Sequence, residues 1–118
     1  GDYTFKKGFE GANYLFNQEP SFTALFCAND QSAMSAISAL SSNGVKIPDE
    51  VSVLGYDNMN ISSYTNPPLT TIDVPVQKMA ISAVRKLINL SYGAALEIDY
   101  DFGIKLIERK SVLKLNRD

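Results

Sequence analysis

No stretch constrains the fold of this chain more than Val51-Ser52-Val53-Leu54-Gly55-Tyr56-Asp57-Asn58. Apolar and β-favouring residues lead to a glycine that permits a sharp exit, then to an acid and an amide that suit a strand interior poorly. The pattern predicts a buried parallel strand with a polar tip. Thr23-Ala24-Leu25-Phe26-Cys27-Ala28 repeats the design upstream and runs into Asn29-Asp30 and a helical stretch. Two neighbouring strands would then bring carboxylates and amides to one edge. In open α/β sheets the crevice beyond the carboxyl ends of the strands is where ligands bind.

The remaining elements follow from spacing. Thr4 can cap a helix whose apolar positions Phe5, Phe9, Ala12 and Phe16 recur at helical intervals, with Pro20 marking its end. Asn29 or Asp30 caps a second helix of about residues 31 to 43, stopped by Gly44, with Ala33, Ile37 and Leu40 as its stripe. Its small residues Ser35, Ala36, Ser38 and Ala39 would let another element approach closely. Met59 to Asn66 reads as a loop with a helical turn, and Leu69 to Asp73 as a short strand. Pro75 suits the first position of a third helix, whose stripe is Val76, Met79, Ala83, Leu87 and Leu90 and whose stop is Gly93. Ile98, Tyr100, Phe102, Ile104 and Leu106 alternate as one face of a long closing strand, with Lys105 and Arg109 on the other. Strands separated by helices give an α/β fold, a mainly parallel open sheet with flanking helices. The third helix lacks an evident partner.

A chain of 118 residues can bury one core, and 45% hydrophobic with 20% charged residues is the composition of a globular protein. No run approaches the roughly 20 apolar residues that span a bilayer. A net charge of -2 does not suit a surface that grips a phosphate backbone. Histidine is absent, so neither a Ser-His-Asp nor a Cys-His mechanism can be assembled from these residues. The single cysteine, Cys27, reads as a small core residue. Neither G-x-G-x-x-G nor G-x-x-x-x-G-K occurs, and no cofactor or metal is expected.

Three residues carry candidate binding chemistry, each with a structural alternative. Asp57 could accept hydrogen bonds from ligand hydroxyls, or bond its own backbone as a turn residue. Asn29 offers a donor and an acceptor to a hydroxyl, or caps a helix. Tyr3 could stack on a sugar face or planar ring, or pack into the core. Asp30 with Asp57 could hold a magnesium ion, a reading weakened by the helix that Asn29-Asp30 opens.

The segments Phe22 to Asp30, Gly44 to Asn58 and Pro67 to Ile72, in that order and at those separations, resemble the lactose/galactose repressor family of bacterial transcription regulators. The resemblance covers essentially the whole chain. It implies the C-terminal part of an effector-binding domain, the second lobe of a periplasmic-binding-protein-like fold. Residues 1–73 and about 98–118 would form that lobe, and about 74–97 a crossover helix belonging to the first. It further implies a small-molecule effector, a sugar, stacked on Tyr3, contacted by Asn29 and held by Asp57. The second helix would face the partner of a homodimer, with Met34, Ile37 and Ser41 as interface residues. Operator DNA would be read by a helix-turn-helix preceding Gly1, in a cytoplasmic, non-enzymatic protein. Val74 departs from a glutamine often found before the proline, which removes one expected polar contact. A periplasmic sugar-binding transport component is the alternative of the same architecture.

Overall fold

The computed structural model describes residues 2–18 and 22–114. Helix α1, Phe5–Phe16, starts where expected: Thr4 is extended and its Oγ1 accepts from the Lys7 N–H at 3.2 Å. Asp2 steadies the cap by accepting from both the N–H and the hydroxyl of Thr4. Pro20 lies outside the described residues. Strand β1 is Ala24–Phe26, shorter than the apolar run that encodes it. Asn29 caps helix α2, Asp30–Ser42, by accepting from the Ser32 N–H at 2.9 Å. Strand β2, Ser52–Asp57, is followed by a 3-10 turn at Asn60–Tyr64 and by strand β3, Thr70–Asp73.

The sheet order is β1-β2-β3-β4, with β4 at Lys105–Ile107. β1 runs parallel to β2 with Phe26 opposite Leu54, and β2 parallel to β3 with Asp57 opposite Asp73. Beyond β4, the Lys110 N–H donates to the Pro68 carbonyl and the Arg109 N–H to Thr70 Oγ1. Ser111 stitches the centre: its buried hydroxyl accepts from the Thr70 N–H and donates to the Val53 carbonyl.

The core lies between α2 and the sheet. Ala33, Ile37 and Leu40, the stripe expected on α2, are buried with Val51, Val53, Leu69 and Cys27. Burial in this apolar setting pushes the Cys27 thiol up to about 11, as expected for an inert packing residue. The small residues on α2 serve the approach of α1. A Cβ added at Gly8 would fall 2.6 Å from Ser32 Cα, so the two helices meet almost backbone to backbone.

The chain divides into two compact units, Gly1–Asp73 with Leu106–Asp118, and Val74–Lys105. The second holds helix α3, Val76–Tyr92, for which Pro75 is the cap rather than the first helical residue. Gly93 ends it in the left-handed region with φ 64°. The long closing strand expected from Ile98 is not formed: only Lys105–Ile107 is extended and paired. Asn89 instead holds both the N–H and the carbonyl of Leu96, and Ser82 accepts from the Asp99 N–H. Alternation alone cannot make a strand without a neighbour to pair with, and Asp99, Asp101 and Gly103 are poor strand formers. The Gly103 N–H donates to Asp101 Oδ1 in a local turn. The α3 stripe is solvent-facing, Leu90 being 77% exposed, and of its residues only Ser82 is buried.

Candidate functional site

Parallel pairing of β1 and β2 decides where the candidate polar residues emerge. The Cys27 N–H continues the ladder to the Leu54 carbonyl at 2.9 Å. Asn29 and Asp57 each lie three residues beyond the Phe26 and Leu54 pair, so both leave the sheet at its carboxyl edge. The register of β2 with β3 adds Asp73, which no local pattern singles out.

Asn29 fulfils its structural alternative and keeps some capacity beyond it. Its Oδ1 caps α2, and its Nδ2 donates to the Tyr3 carbonyl at 2.9 Å. An amide nitrogen carries two hydrogens, so one N–H remains to offer. That bond brings Tyr3 to the same edge. The tyrosine has φ 64° and is 64% exposed, so its ring is a surface group and not a core one. A hollow of about 360 Å³ lined by Tyr3, Lys7, Gly8, Phe26, Ala28 and Ser32 opens beside it. Neither Asn29 nor Asp57 lines that hollow.

Asp57 ends β2 with φ 110° and is followed by Asn58 with φ 51°, a turn that L-residues adopt only when other contacts hold it. Those contacts are present. Asn58 Nδ2 donates to Asp73 Oδ1 at 2.9 Å, and Asn58 Oδ1 accepts from Arg109 Nη2 at 2.7 Å. Arg109 Nη1 reaches the Leu69 carbonyl, also at 2.7 Å. The Asp57 carboxylate itself has no hydrogen-bond partner among the described residues, and the turn bond to its own backbone is not made. Loss of solvent around it, and then the nearby charge of Asp30, raise its proton affinity above the usual carboxylate range.

Asp30 is fully buried. Its Oδ2 accepts from the Met59 N–H at 2.7 Å and from Ser62 Oγ at 2.5 Å, and its Oδ1 from Thr71 Oγ1 at 2.5 Å. Both oxygens are thus engaged by protein donors, and no cluster of Cys, Asp and Glu suited to a metal ion occurs among the described residues. These partners lie 29, 32 and 41 residues away along the chain, so no local pattern announces them.

On the outer part of α2, Met34, Ile37 and Ser41 line one hollow of about 500 Å³ with Ser38, Ser42, Thr65 and Asn66. Ile37 forms its floor and belongs to the core, being only 5% exposed. Met34 and Ser41 present more surface. No helix among the described residues is long and apolar enough to cross a membrane.

Residues 3–112 match a family described as a periplasmic binding protein-like domain. The chain is 37% identical over 117 residues to the HTH-type transcriptional repressor PurR of Photobacterium profundum, a match covering 98% of this chain and 35% of that protein. The crystal structure of the Escherichia coli transcriptional repressor AscG superposes with a TM-score of 0.84 at 36% identity, covering 97% of this chain and 41% of that one. A structure of the lac repressor dimer bound to operator and an anti-inducer gives 0.86 at 33% identity, over 97% and 40% of the two chains. The chain therefore spans about a third of the length of the curated relatives it matches.

Proposed function

Because this chain belongs to the periplasmic binding protein-like domain family, in the form carried by regulators of the lactose/galactose repressor type, we propose that it senses a small neutral effector, a sugar, for such a regulator. Tyr3 supplies a stacking face, Asn29 an amide donor and Asp57 a carboxylate that accepts from hydroxyls. The observation that carries this reading is the parallel register that takes Asn29 and Asp57 to one edge, where the Asp57 carboxylate is left without a protein partner among the described residues. An exposed acid with no protein donor on it keeps its oxygens free to accept from ligand hydroxyls.

Residues 1–73 and the closing segment form one lobe, and a crossover helix beginning at about 74 belongs to the other; the second boundary, expected near 98, falls between Lys105 and Leu106. The division of the chain at Asp73 and Val74 supports that assignment, as does the uncovered apolar stripe of α3. The α2 hollow with Met34, Ile37 and Ser41 is the homodimer contact. Operator DNA is bound by a part of the protein other than these residues, whose net charge is -2. The protein works in the cytoplasm, by binding rather than by turnover. Ligand shifts the regulator between states only through unequal affinity for them, and the edge residues contribute to that difference.

A thermal-shift screen of neutral mono- and disaccharides on the full-length protein identifies the effector. Asp57→Ala is expected to remove the shift while operator binding persists. Unchanged affinity for the saccharide in that variant would overturn the role given to Asp57.

A further inference from the structure

Asn29 and Asp57 sit on different elements, and a site built from both needs something to fix their separation. The buried carboxylate of Asp30 touches every element concerned. It follows Asn29 directly in α2, and it accepts from the Met59 N–H two residues after Asp57. It also crowds Gly55, two residues before Asp57: a Cβ there would fall on Asp30 Oδ1 and within 2.9 Å of Leu69 Cδ2. Ser62 and Thr71 tie the same carboxylate to the 3-10 turn and to β3. An acid in the first helical turn is stabilising by its position alone. That does not explain three donors drawn from two distant segments, the 3-10 turn with its cap and β3.

We propose that Asp30 is the positioning residue of the ligand edge: sealed from any ligand, its side chain sets the spacing of Asn29 and Asp57 by clamping the chain on both sides of Asp57. This inference rests on the effector-binding reading for its purpose, and its test needs no ligand. The charged and titratable groups around Asp57 are Asp30 from α2, Asp73 from β3 and Arg109 from the segment after β4. Asp73 accepts from Asn58 Nδ2 and Arg109 donates to Asn58 Oδ1, whereas Asp30 acts on Asp57 directly through its charge.

Two substitutions in the full-length protein separate charge from geometry. Asp30→Asn keeps the size: its carbonyl oxygen can face Met59 and Ser62 while its amide donates to the Thr71 hydroxyl, which is able to accept. Asp30→Ala removes the clamp. Carboxyl carbon NMR of labelled aspartate, with Asp57 assigned by its disappearance in Asp57→Asn, follows the titration of Asp57. Hydrogen exchange follows the Met59 amide against that of Leu40 in the core. In Asp30→Asn, Asp57 should titrate lower than in the unmodified protein, with Met59 protection kept within about threefold. In Asp30→Ala, Met59 should exchange at least roughly tenfold faster while Leu40 holds. An Asp57 titration unmoved in Asp30→Asn overturns the proposal, as does a Met59 amide that loses no more protection than Leu40 in Asp30→Ala. Should Asp30→Ala fail to fold, the Asp30→Asn titration decides. A positive outcome with no saccharide bound would leave Asp30 as the clamp and sink the effector reading alone.

Discussion

Gly8 and Gly11 lie in the same helix and should answer the same substitution with opposite signs. Replacing a mid-helix glycine by alanine ordinarily gains about 0.5–1 kcal/mol, because the glycine loses more backbone freedom on folding. At Gly11 no heavy atom lies within 4 Å of the added carbon, so Gly11→Ala should gain that amount in full. At Gly8 the new carbon would stand 2.6 Å from Ser32 Cα and 2.8 Å from the Ser32 carbonyl oxygen. Ser35 Oγ can rotate aside, but the backbone of α2 cannot. Helix α1 must retreat, straining the bond of 2.7 Å between Asn43 Nδ2 and Asn13 Oδ1 that joins the two helices. Overpacking of this kind costs about 1–3 kcal/mol, so against a gain of about 0.5–1 kcal/mol the net effect of Gly8→Ala is a loss of up to about 2.5 kcal/mol. For a chain near this size, 1 kcal/mol moves the melting midpoint by roughly 4 °C. Thermal denaturation of the 118-residue chain, followed by far-UV circular dichroism, should therefore place the variants on either side of the unmodified protein. If both shift the midpoint the same way, the backbone contact between α1 and α2 is not what holds them together.

Three further expectations concern the sheet and its edge. The Asp57 carboxyl is raised above 3.8 by desolvation and by Asp30, so its ionisation penalises the folded state. That penalty is absent below the unfolded value of 3.8, grows as pH rises through the folded value, and is complete above it. Asp57→Asn should thus be the more stable protein at pH 7 and lose its advantage in acid, which denaturation midpoints across pH would record; an advantage independent of pH would count against the assignment. Ser111→Ala orphans the buried Thr70 N–H and Val53 carbonyl and should cost about 2–4 kcal/mol in urea titration. Arg109→Lys replaces a fork that spans Leu69 and Asn58 with a group that can serve one of them. A loss of about 1–2 kcal/mol is expected, with faster exchange at the Asn58 amide as its local sign.

The parts of this molecule legible in its sequence are those written locally. Thr4 and Asn29 cap the helices they precede, and the Ala33, Ile37 and Leu40 stripe is the buried one. The two apolar runs ending in Asn29 and Asp57 pair as parallel neighbours because strand length, glycine punctuation and the intervening helix all point one way. What the sequence hid depends on partners distant along the chain. Ser35 and Ala36 announced a close approach without saying that Gly8 would make it. Asp30 looked like a helix-start acid, because nothing near it names Ser62 or Thr71. Arg109 looked like an outward basic residue, yet it holds the turn after Asp57 through Asn58. The alternating residues from Ile98 onward misled for the opposite reason: their pattern was clear, but no neighbouring strand pairs with residues 98–104 among the described residues.

If one sheet edge, carrying Tyr3, Asn29 and Asp57, receives the effector, a crystal structure of the full-length protein with the saccharide chosen by the thermal-shift screen will show it there. The ligand should lie with its hydroxyls within hydrogen-bond distance of Asp57 and of the remaining Asn29 N–H, and with a ring face on Tyr3. A saccharide bound elsewhere, with the Asp57 carboxylate still open to water, would contradict the account.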